Sequence, residues 1–334
     1  MNQTLIKTAL HDCHLNLNAK LVEFAGYDLP IWYTNIKDEH HAVRNSVGMF
    51  DISHMGLFSI SGPSAFKFLQ NLTCNDLTKS LDQKMIYSMF LNLQGMVLDD
   101  VMHGFYKDQF FCITNGSNQH KIHDWMQRHC PVDAVINDFN STHSFIAVQG
   151  PQAASTLDSL FNFSFNDVPR FGIAQFEFDN STCTTFRSGY TGEDGFELMM
   201  PHHKAADIWK TLENAGVTPC GLGARDSLRI EKGFPLYGQE LSEIIHPYMT
   251  NYSWVVQLKT NFIGKDALTK QKDLPHLNAV GLELEGRVIA RPNCKILEGG
   301  YVTSGTFSPT LEKSIAIAFV APDFAEVGHT VHVE

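Results

Sequence analysis

The sequence has few charged residues and no excess of basic ones. Only 18% of its residues are charged, against roughly 25% in typical soluble domains, and 25 Lys and Arg stand against 36 Asp and Glu. The resulting net charge of −11 argues against a nucleic-acid backbone or an acidic membrane surface as the main partner. No apolar run approaches the roughly 18 residues that a membrane helix needs. We therefore expect neither nucleic acid nor membrane as a partner.

Targeting signals and paired cysteines are missing as well. Residues 1–7 lack the apolar core of a signal peptide and the Arg and Ser bias of a transit peptide, which predicts a cytoplasmic protein. The seven cysteines are odd in number and form no C-x-x-C pair, so neither a disulfide framework nor a thiolate metal site is indicated. The two His-His dipeptides lack the spacing that brings two imidazoles onto one helix face, and we expect no metal.

The length and an internal similarity favour several domains. A chain of 334 residues with 43% hydrophobic residues suggests two or three domains at roughly 150 residues each. A strand, a Gly-Pro turn and a helix start occur around Gly62-Pro63 and again around Gly150-Pro151, and helices containing Trp125 and Trp209 follow at similar distances. This pattern predicts two α+β modules of similar build, although chance similarity of generic strand–turn–helix units is the alternative.

The last sixty residues have a different character. Residues 280–284, 294–297 and 314–320 have the composition of short strands, separated by glycines and prolines, with no helical pattern between them. They predict a small β-barrel or sandwich, joined to the rest by a polar stretch at 265–277. The glycines at 189, 192 and 195 stand between two strand patterns. They predict a hairpin turn, because a dinucleotide-binding glycine run must open a helix.

Two adjacent carboxylates, Asp99 and Asp100, end an otherwise apolar strand pattern. Successive strand side chains point to opposite faces, so only one of the two can share a face with Val97. Apolar neighbours would raise the pKa of a buried carboxyl group. A strand end that hydrogen-bonds to a turn is the equally weighted alternative.

Three further positions could contribute to a site. Glu197 lies in an alternating strand on the face of Gly195, where a ligand could approach, or it is a solvated residue. Arg225 and Arg229 share a helix face, where two like charges need an acidic partner. A ligand carboxylate and Glu197 are candidates, and a surface salt bridge is the alternative. His54 lies on an apolar strand face, where a core histidine is more common than a catalytic one.

Taken together, the motifs resemble the glycine-cleavage T-protein family. The matching blocks occur in family order over nearly the whole chain: DEHHAVR (38–44), GMFDISHM (48–55), LDD (98–100), VQGP (148–151), GYTGE (189–193), GLGARDSLR (221–229), PLYGQE (235–240) and TSGTFSP (303–309). As a set they are highly specific. Met96 departs from the pattern, because the family usually has a second glycine after Gly95.

The resemblance implies an α+β fold with three domains in a ring around a central folate channel. Residues 1–55 and 141–265 would form the first α+β folate-binding domain, 56–140 the second, carrying the catalytic aspartate, and 266–334 a C-terminal β-barrel. Relatives run on past Glu334, so the barrel is expected to be shortened.

The resemblance also implies site residues and a reaction. The first aspartate of the Asp-Asp pair, Asp99, would be catalytic. The expected tetrahydrofolate-binding residues are Glu197 for the pterin, Arg225, Tyr87, Asn115 and Tyr190. The family transfers the aminomethyl carbon from the lipoyl arm of the H-protein to tetrahydrofolate, which gives 5,10-methylenetetrahydrofolate, ammonia and the dihydrolipoyl carrier.

Two related functions remain as alternatives. A tetrahydrofolate-dependent demethylase would share the scaffold and the aspartate. A non-enzymatic folate-binding protein of iron–sulfur cluster maintenance would carry a cysteine near residues 232–240, where this sequence has none.

Overall fold

Two largely antiparallel sheets contain most of the strands in this computed structural model, which describes residues 4–334. The first three of residues 1–7, discussed above for targeting, lie outside the described part. The helices are α1 (His11–Asn16), α2 (Ile36–Asn45), α3 (Ala65–Leu72), α4 (Gln119–His129), α5 (Ala153–Leu160), α6 (His202–Asn214), α7 (Leu222–Lys232) and α8 (Lys265–Gln271). The strands before residue 115 are β1 (Lys20–Phe24), β2 (Tyr27–Trp32), β3 (Gly48–Asp51), β4 (Gly56–Ser61), β5 (Met85–Leu91), β6 (Val97–Tyr106) and β7 (Gln109–Thr114). Those after it are β8 (Val135–Asp138), β9 (His143–Gln149), β10 (Ile173–Phe178), β11 (Ser181–Phe186), β12 (Gly195–Pro201), β13 (Thr218–Pro219), β14 (Asn278–Glu283), β15 (Gly300–Ser308) and β16 (Lys313–Val320).

The two large sheets pack face to face, with α5 and α6 on the outer side of one, α3 and α4 on the outer side of the other, and α2 and α7 against the core between them. The six-stranded sheet has the order β10-β11-β12-β9-β3-β13 and the five-stranded sheet the order β5-β6-β7-β4-β8. Apolar side chains from both sheets meet between them, where Phe111 and Phe186 contact edge to face at 5.4 Å between ring centroids. Separate cores lie under α5 and α6 and under α3 and α4. The predicted α+β class is therefore confirmed.

The two Gly-Pro turns lead into helices as the sequence predicts. Gly62 and Gly150 have φ angles of +102° and +133°, which L-residues with a side chain rarely adopt. A Cβ atom at Gly62 would lie 2.3 Å from the Asp133 carbonyl oxygen, and one at Gly150 would lie 2.4 Å from that of Ser46. Both turns therefore require glycine, and α3 and α5 begin three residues later.

The C-terminal region differs from the sequence prediction in detail. Its sheet has the order β14-β16-β15, and the strand predicted at 294–297 is wrong, since only isolated bridges form at Lys295 and Ile296. β16 is the central strand, and its second partner beside β14 is β15, a segment where no strand is predicted.

The polar stretch at 265–277 contains α8. The side chain of Leu268 is fully buried there, and it packs in one cluster with Leu91 and Val97 of the β5–β6 hairpin. The connection is thus partly fixed to the five-stranded sheet. Among the described residues, no helix combines the length and apolarity of a membrane span.

Candidate active site

A cavity of about 470 Å³ lies between the two large sheets. Strands of both sheets, the start of α7 and the irregular segment after α7 supply its walls. The lining residues used below are Phe24, His54, Tyr87, Asp100, Asn115, Phe171, Ser188, Tyr190, Glu197, Arg225, Phe234, Pro235, Leu236, Tyr237, Gln239, Tyr252 and Trp254. Five of the six predicted site residues are therefore brought together, and Asp99 is not among the lining residues.

The two adjacent aspartates of β6 face opposite sides of the sheet. Asp100 lines the cavity, and its Oδ2 accepts a hydrogen bond from the Tyr87 hydroxyl at 3.0 Å. Asp99 is fully buried behind the wall. The alternation of the strand correctly separates the pair, and Asp100 rather than Asp99 is the carboxyl group that lines the cavity.

Asp99 instead fixes the loop that follows β7. Its carboxylate accepts hydrogen bonds from the Asn115 backbone N–H at 3.0 Å, from the Asn115 side-chain amide at 2.9 Å and from Asn118 Nδ2 at 2.6 Å. The same amide of Asn115 donates to Asp100 Oδ1 at 2.7 Å. Asn115 therefore bridges the two carboxyl groups and connects Asp99 to the cavity wall.

Burial is the main cause of the pKa shifts around Asp100. It raises the pKa of Asp100 to about 6, against the opposing effect of the hydrogen bonds from Tyr87 and Asn115. Burial and the neighbouring Asp100 charge raise the pKa of Asp99 well above its usual range. Burial and Asp100 also raise the pKa of the Tyr87 phenol, which keeps it a hydrogen-bond donor. A carboxyl group that titrates near neutral pH is suited to proton transfer.

Glu197 lies at another part of the cavity wall, on β12. Ser188 Oγ donates to its Oε2 at 2.5 Å, and burial raises the pKa of this carboxyl group while the Arg225 charge lowers it. The space beside Gly195 does not admit a ligand as expected, because a Cβ atom there would lie 2.5 Å from Gln149 Nε2. Within residues 4–334 no donor other than Ser188 is hydrogen-bonded to the Glu197 carboxylate.

Arg225 and Tyr190 form an aromatic and cationic surface next to Glu197. The guanidinium carbon of Arg225 lies 4.7 Å from the centroid of the Tyr190 ring, and the Tyr190 hydroxyl donates to the Pro235 carbonyl at 2.5 Å. Burial lowers the pKa of Arg225, while the Glu197 charge raises it. In the part of the chain that the structure describes, no hydrogen bond engages the Arg225 guanidinium. It is therefore available to an anionic or π-rich ligand.

The second arginine of the predicted pair has a different role. Arg229 is 2% exposed and pairs with Asp226 and Glu240, at 2.8 and 3.0 Å. Neither Arg229 nor Glu240 lines the cavity. Arg229 thus has acidic partners of its own, whereas Arg225 has only the charge of Glu197 in its surroundings and no ion pair among the described residues.

His54 is both a buried residue and a cavity residue. It is 2% exposed, and burial with the nearby Arg225 charge lowers its pKa to about 4, so its imidazole is neutral at physiological pH. Phe24 contacts the ring edge to face at 5.4 Å between centroids, and Nδ1 has no hydrogen-bond partner among residues 4–334.

Sequence reasoning missed an aromatic group opposite Asp100. The rings of Tyr252 and Trp254 lie 5.3 and 6.3 Å from that of Tyr87. Both belong to an irregular segment with a short 3-10 turn, and only the unusual Tyr-x-Trp composition could have pointed to them. The arrangement gives a flat, aromatic cavity with carboxyl groups at Asp100 and Glu197, which suits a planar heterocycle rich in N–H donors.

Comparison with known proteins agrees with this geometry. The GCVT N-terminal domain family matches residues 10–260, and the glycine cleavage T-protein C-terminal barrel domain matches residues 278–334. The aminomethyltransferase of Thermoanaerobacter pseudethanolicus is 40% identical over 98% of this chain and 93% of its own length. That of Thermotoga maritima is 40% identical over 94% of this chain and 89% of its own length.

A solved structure extends the likeness to the fold. The glycine cleavage system aminomethyltransferase T of Bartonella henselae superposes with a TM-score of 0.93 at 29% sequence identity, over 99% of this chain and 94% of the other. The family models together cover both large sheets and the C-terminal region. The chain therefore belongs to the glycine cleavage T-protein family and is an enzyme of the aminomethyltransferase type.

Proposed function

We propose that this enzyme transfers the methylene carbon of an S-aminomethyldihydrolipoyl group, carried by the H-protein, to tetrahydrofolate. The products are 5,10-methylenetetrahydrofolate, ammonia and the dihydrolipoyl H-protein. Membership of the family supports the reaction class. The observation that carries the proposal is a single aromatic cavity with Asp100 and Glu197 in its wall.

Glu197 and Arg225 fit the pterin end of tetrahydrofolate. The Glu197 carboxylate has one protein donor, Ser188, and a buried carboxylate gains from further N–H donors. A reduced pterin presents adjacent N–H groups that one carboxylate can accept together. Tyr190 and Arg225 offer a ring and a guanidinium against which a flat heterocycle can lie.

Asp100, Tyr87 and Asn115 fit the reacting end. When bound, tetrahydrofolate supplies the nitrogen atoms that accept the carbon. An ionised Asp100 beside them would stabilise the positive charge that develops as the amine leaves, and its pKa of about 6 allows it to hold or release a proton. Tyr87 and Asn115 orient its two oxygens. We assign the catalytic role to Asp100 and a positioning role to Asp99, the residue that the sequence predicted as catalytic.

The lipoylated H-protein is the proposed partner. The cavity residues Phe171 and Trp254 are 42% and 57% exposed, so they mark an apolar mouth through which a dihydrolipoyl arm can reach Asp100. Burial of apolar surface at such a mouth favours a hydrophobic arm over a charged one.

The three-domain division is also proposed. Residues 1–55 with 141–265 would form one unit, 56–140 the second and 266–334 the third. The strands support it, since the six-stranded sheet draws on β3 and on β9 to β13, while the five-stranded sheet uses β4 to β8.

A transfer assay tests the function against its alternatives. The purified enzyme is incubated with tetrahydrofolate and either aminomethylated lipoyl H-protein, free methylated amines or sulfonium compounds. Methylenetetrahydrofolate formed from the H-protein alone supports the proposal. 5-Methyltetrahydrofolate formed from the free methylated compounds would favour a demethylase, and folate binding without turnover on any donor would favour the non-enzymatic alternative.

A further inference from the structure

An irregular segment of the cavity wall follows α7. Five of its residues line the cavity: Phe234, Pro235, Leu236, Tyr237 and Gln239. The helix ends at Gly233, which adopts a left-handed φ of +72°, and no strand of a sheet includes residues 234–240. Its backbone hydrogen bonds are local, from the Phe234 N–H to the Arg229 carbonyl and from the Gln239 and Glu240 N–H groups to the Leu236 carbonyl. Side-chain hydrogen bonds are therefore needed to fix this turn against the C-terminal strands.

A closed set of side-chain hydrogen bonds surrounds this segment. Arg229 Nη1 donates to the Phe234 carbonyl at 3.2 Å and to Glu240 Oε2 at 3.0 Å. Glu240 Oε2 also accepts from the Leu236 N–H at 2.9 Å. The set therefore contacts the beginning, the middle and the end of the wall segment.

The same set joins the wall to the C-terminal domain. Ser304 of β15 accepts from Arg229 Nη2 at 2.7 Å, and its hydroxyl donates to Glu240 Oε1 at 2.7 Å. Arg229, Glu240 and Ser304 are each at most 3% exposed. None of the three lines the cavity, so this contact with the C-terminal domain lies behind the cavity wall.

A buried ion pair is a weak means of stabilising a fold. The cost of removing two charges from water offsets most of their attraction, and well-packed apolar residues often serve as well or better. The pair instead fixes geometry, because the planar Arg229 guanidinium donates in fixed directions to the Glu240 carboxylate and the Phe234 carbonyl.

We propose that Arg229, Glu240 and Ser304 form a positioning cluster that holds the wall segment 234–240 in its ligand-binding shape. The proposal rests on the proposed function, because the ligand is tetrahydrofolate. The cluster would act on the ligand through Tyr190, whose hydroxyl bonds to the Pro235 carbonyl and whose ring stacks on Phe234 at 5.8 Å between centroids.

The test compares a charge removal with an apolar replacement. In E240Q the cluster loses its anion, and in the double variant R229M/E240L apolar side chains fill the same volume. A positioning role predicts that KM for tetrahydrofolate rises at least about tenfold in both, with kcat within about threefold of the wild-type value. The double variant should keep a thermal midpoint near or above that of E240Q.

E231Q is the matched control. Glu231 lies on α7 as well, and it contacts β15 through Ser308 and α2 through Arg44, but it bonds to no residue of the wall. We expect E231Q to lower the thermal midpoint and to leave KM unchanged.

Two results would overturn the inference: a KM within twofold of wild type in E240Q, or a double variant that recovers both the thermal midpoint and the wild-type KM. Calorimetric titration of the wild-type enzyme with tetrahydrofolate is run first. A wild type that does not bind tetrahydrofolate contradicts the proposed function itself, whereas equal binding by wild type and both variants contradicts the positioning cluster alone.

Discussion

At the scale of single residues, two neighbouring aspartates have different environments and hence different expected roles. Asp100 lies in the cavity wall and Asp99 behind it, and Asn115 joins them. We predict that D100N loses at least about a hundredfold in kcat, the range of a positioned proton-transfer group. D99N should lose about tenfold, because it disturbs only the geometry of Asn115. Steady-state kinetics of the two variants, which differ by one position, checks this. A greater loss in D99N would return the catalytic role to Asp99.

The pH dependence is a second residue-scale prediction. The pKa of Asp100 is raised to about 6, so its carboxylate form is lost as the pH falls through that value. If the ionised form is required, kcat/KM decreases about tenfold per pH unit below pH 6. In D100N this acidic limb should be absent. An unchanged limb in D100N would assign the titration to another group.

The Asp-Asp pair shows a limit of pattern reasoning. Strand alternation indicates that Asp99 and Asp100 face opposite sides, but it does not tell which side has the cavity. That depends on the second sheet packed against the first, whose strands lie at 48–51 and between 143 and 219 in the chain. The strand and helix patterns singled out Glu197 and Arg225, but only the family resemblance implied a ligand-binding role for them. Trp254 was missed because its segment has no period.

At the scale of elements, local turn chemistry was enough to place the starts of α3 and α5. Gly62 and Gly150 both have positive φ angles, and such positions can be read from the sequence. β15 was missed because the glycines at 299, 300 and 305 have the composition of a boundary between strands, although the strand begins at Gly300. Whether a glycine starts a strand or ends one depends on its neighbours in the sheet.

Helix α8 provides an element-scale prediction of stability. Leu268 is fully buried against the β5–β6 hairpin, and truncation of such a side chain costs about 2–5 kcal/mol. We expect L268A to lower the free energy of unfolding by about 2–4 kcal/mol in urea denaturation. Leu274, which is 58% exposed, gives the control L274A with little change. Equal effects of the two variants would show that α8 is not packed as described.

At the scale of the whole molecule, an ionic network joins α2, α7 and the C-terminal domain. Glu231 accepts hydrogen bonds from Arg44 and Ser308, and it lies 3.2 Å from His40 Nε2. Its pKa is lowered to about 2, because the hydrogen bonds and charges of its partners outweigh the effect of burial. None of this was predictable from the sequence, since the partners lie far apart along the chain.

Glu231 therefore links stability to pH. A carboxyl group whose pKa is lowered on folding stabilises the native state above its unfolded pKa, near 4.5, and this contribution is lost as the pH falls towards 2. We predict that the free energy of unfolding of the wild-type enzyme exceeds that of E231Q by about 2–3 kcal/mol at pH 7. This difference should shrink below about pH 4.5. Denaturation at a series of pH values checks this. A difference that does not change with pH would contradict the linkage.

The central claim is that the cavity between the sheets binds tetrahydrofolate through Glu197, and calorimetric titration tests it most directly. Wild type, E197Q and the control E193Q are titrated with tetrahydrofolate, Glu193 being a nearby carboxylate that pairs with Arg44 at 2.8 Å outside the cavity. Loss of a charge-assisted hydrogen bond predicts a Kd raised about 10- to 100-fold in E197Q and unchanged in E193Q. Equal Kd values for wild type and E197Q, or no binding by wild type, would contradict the account.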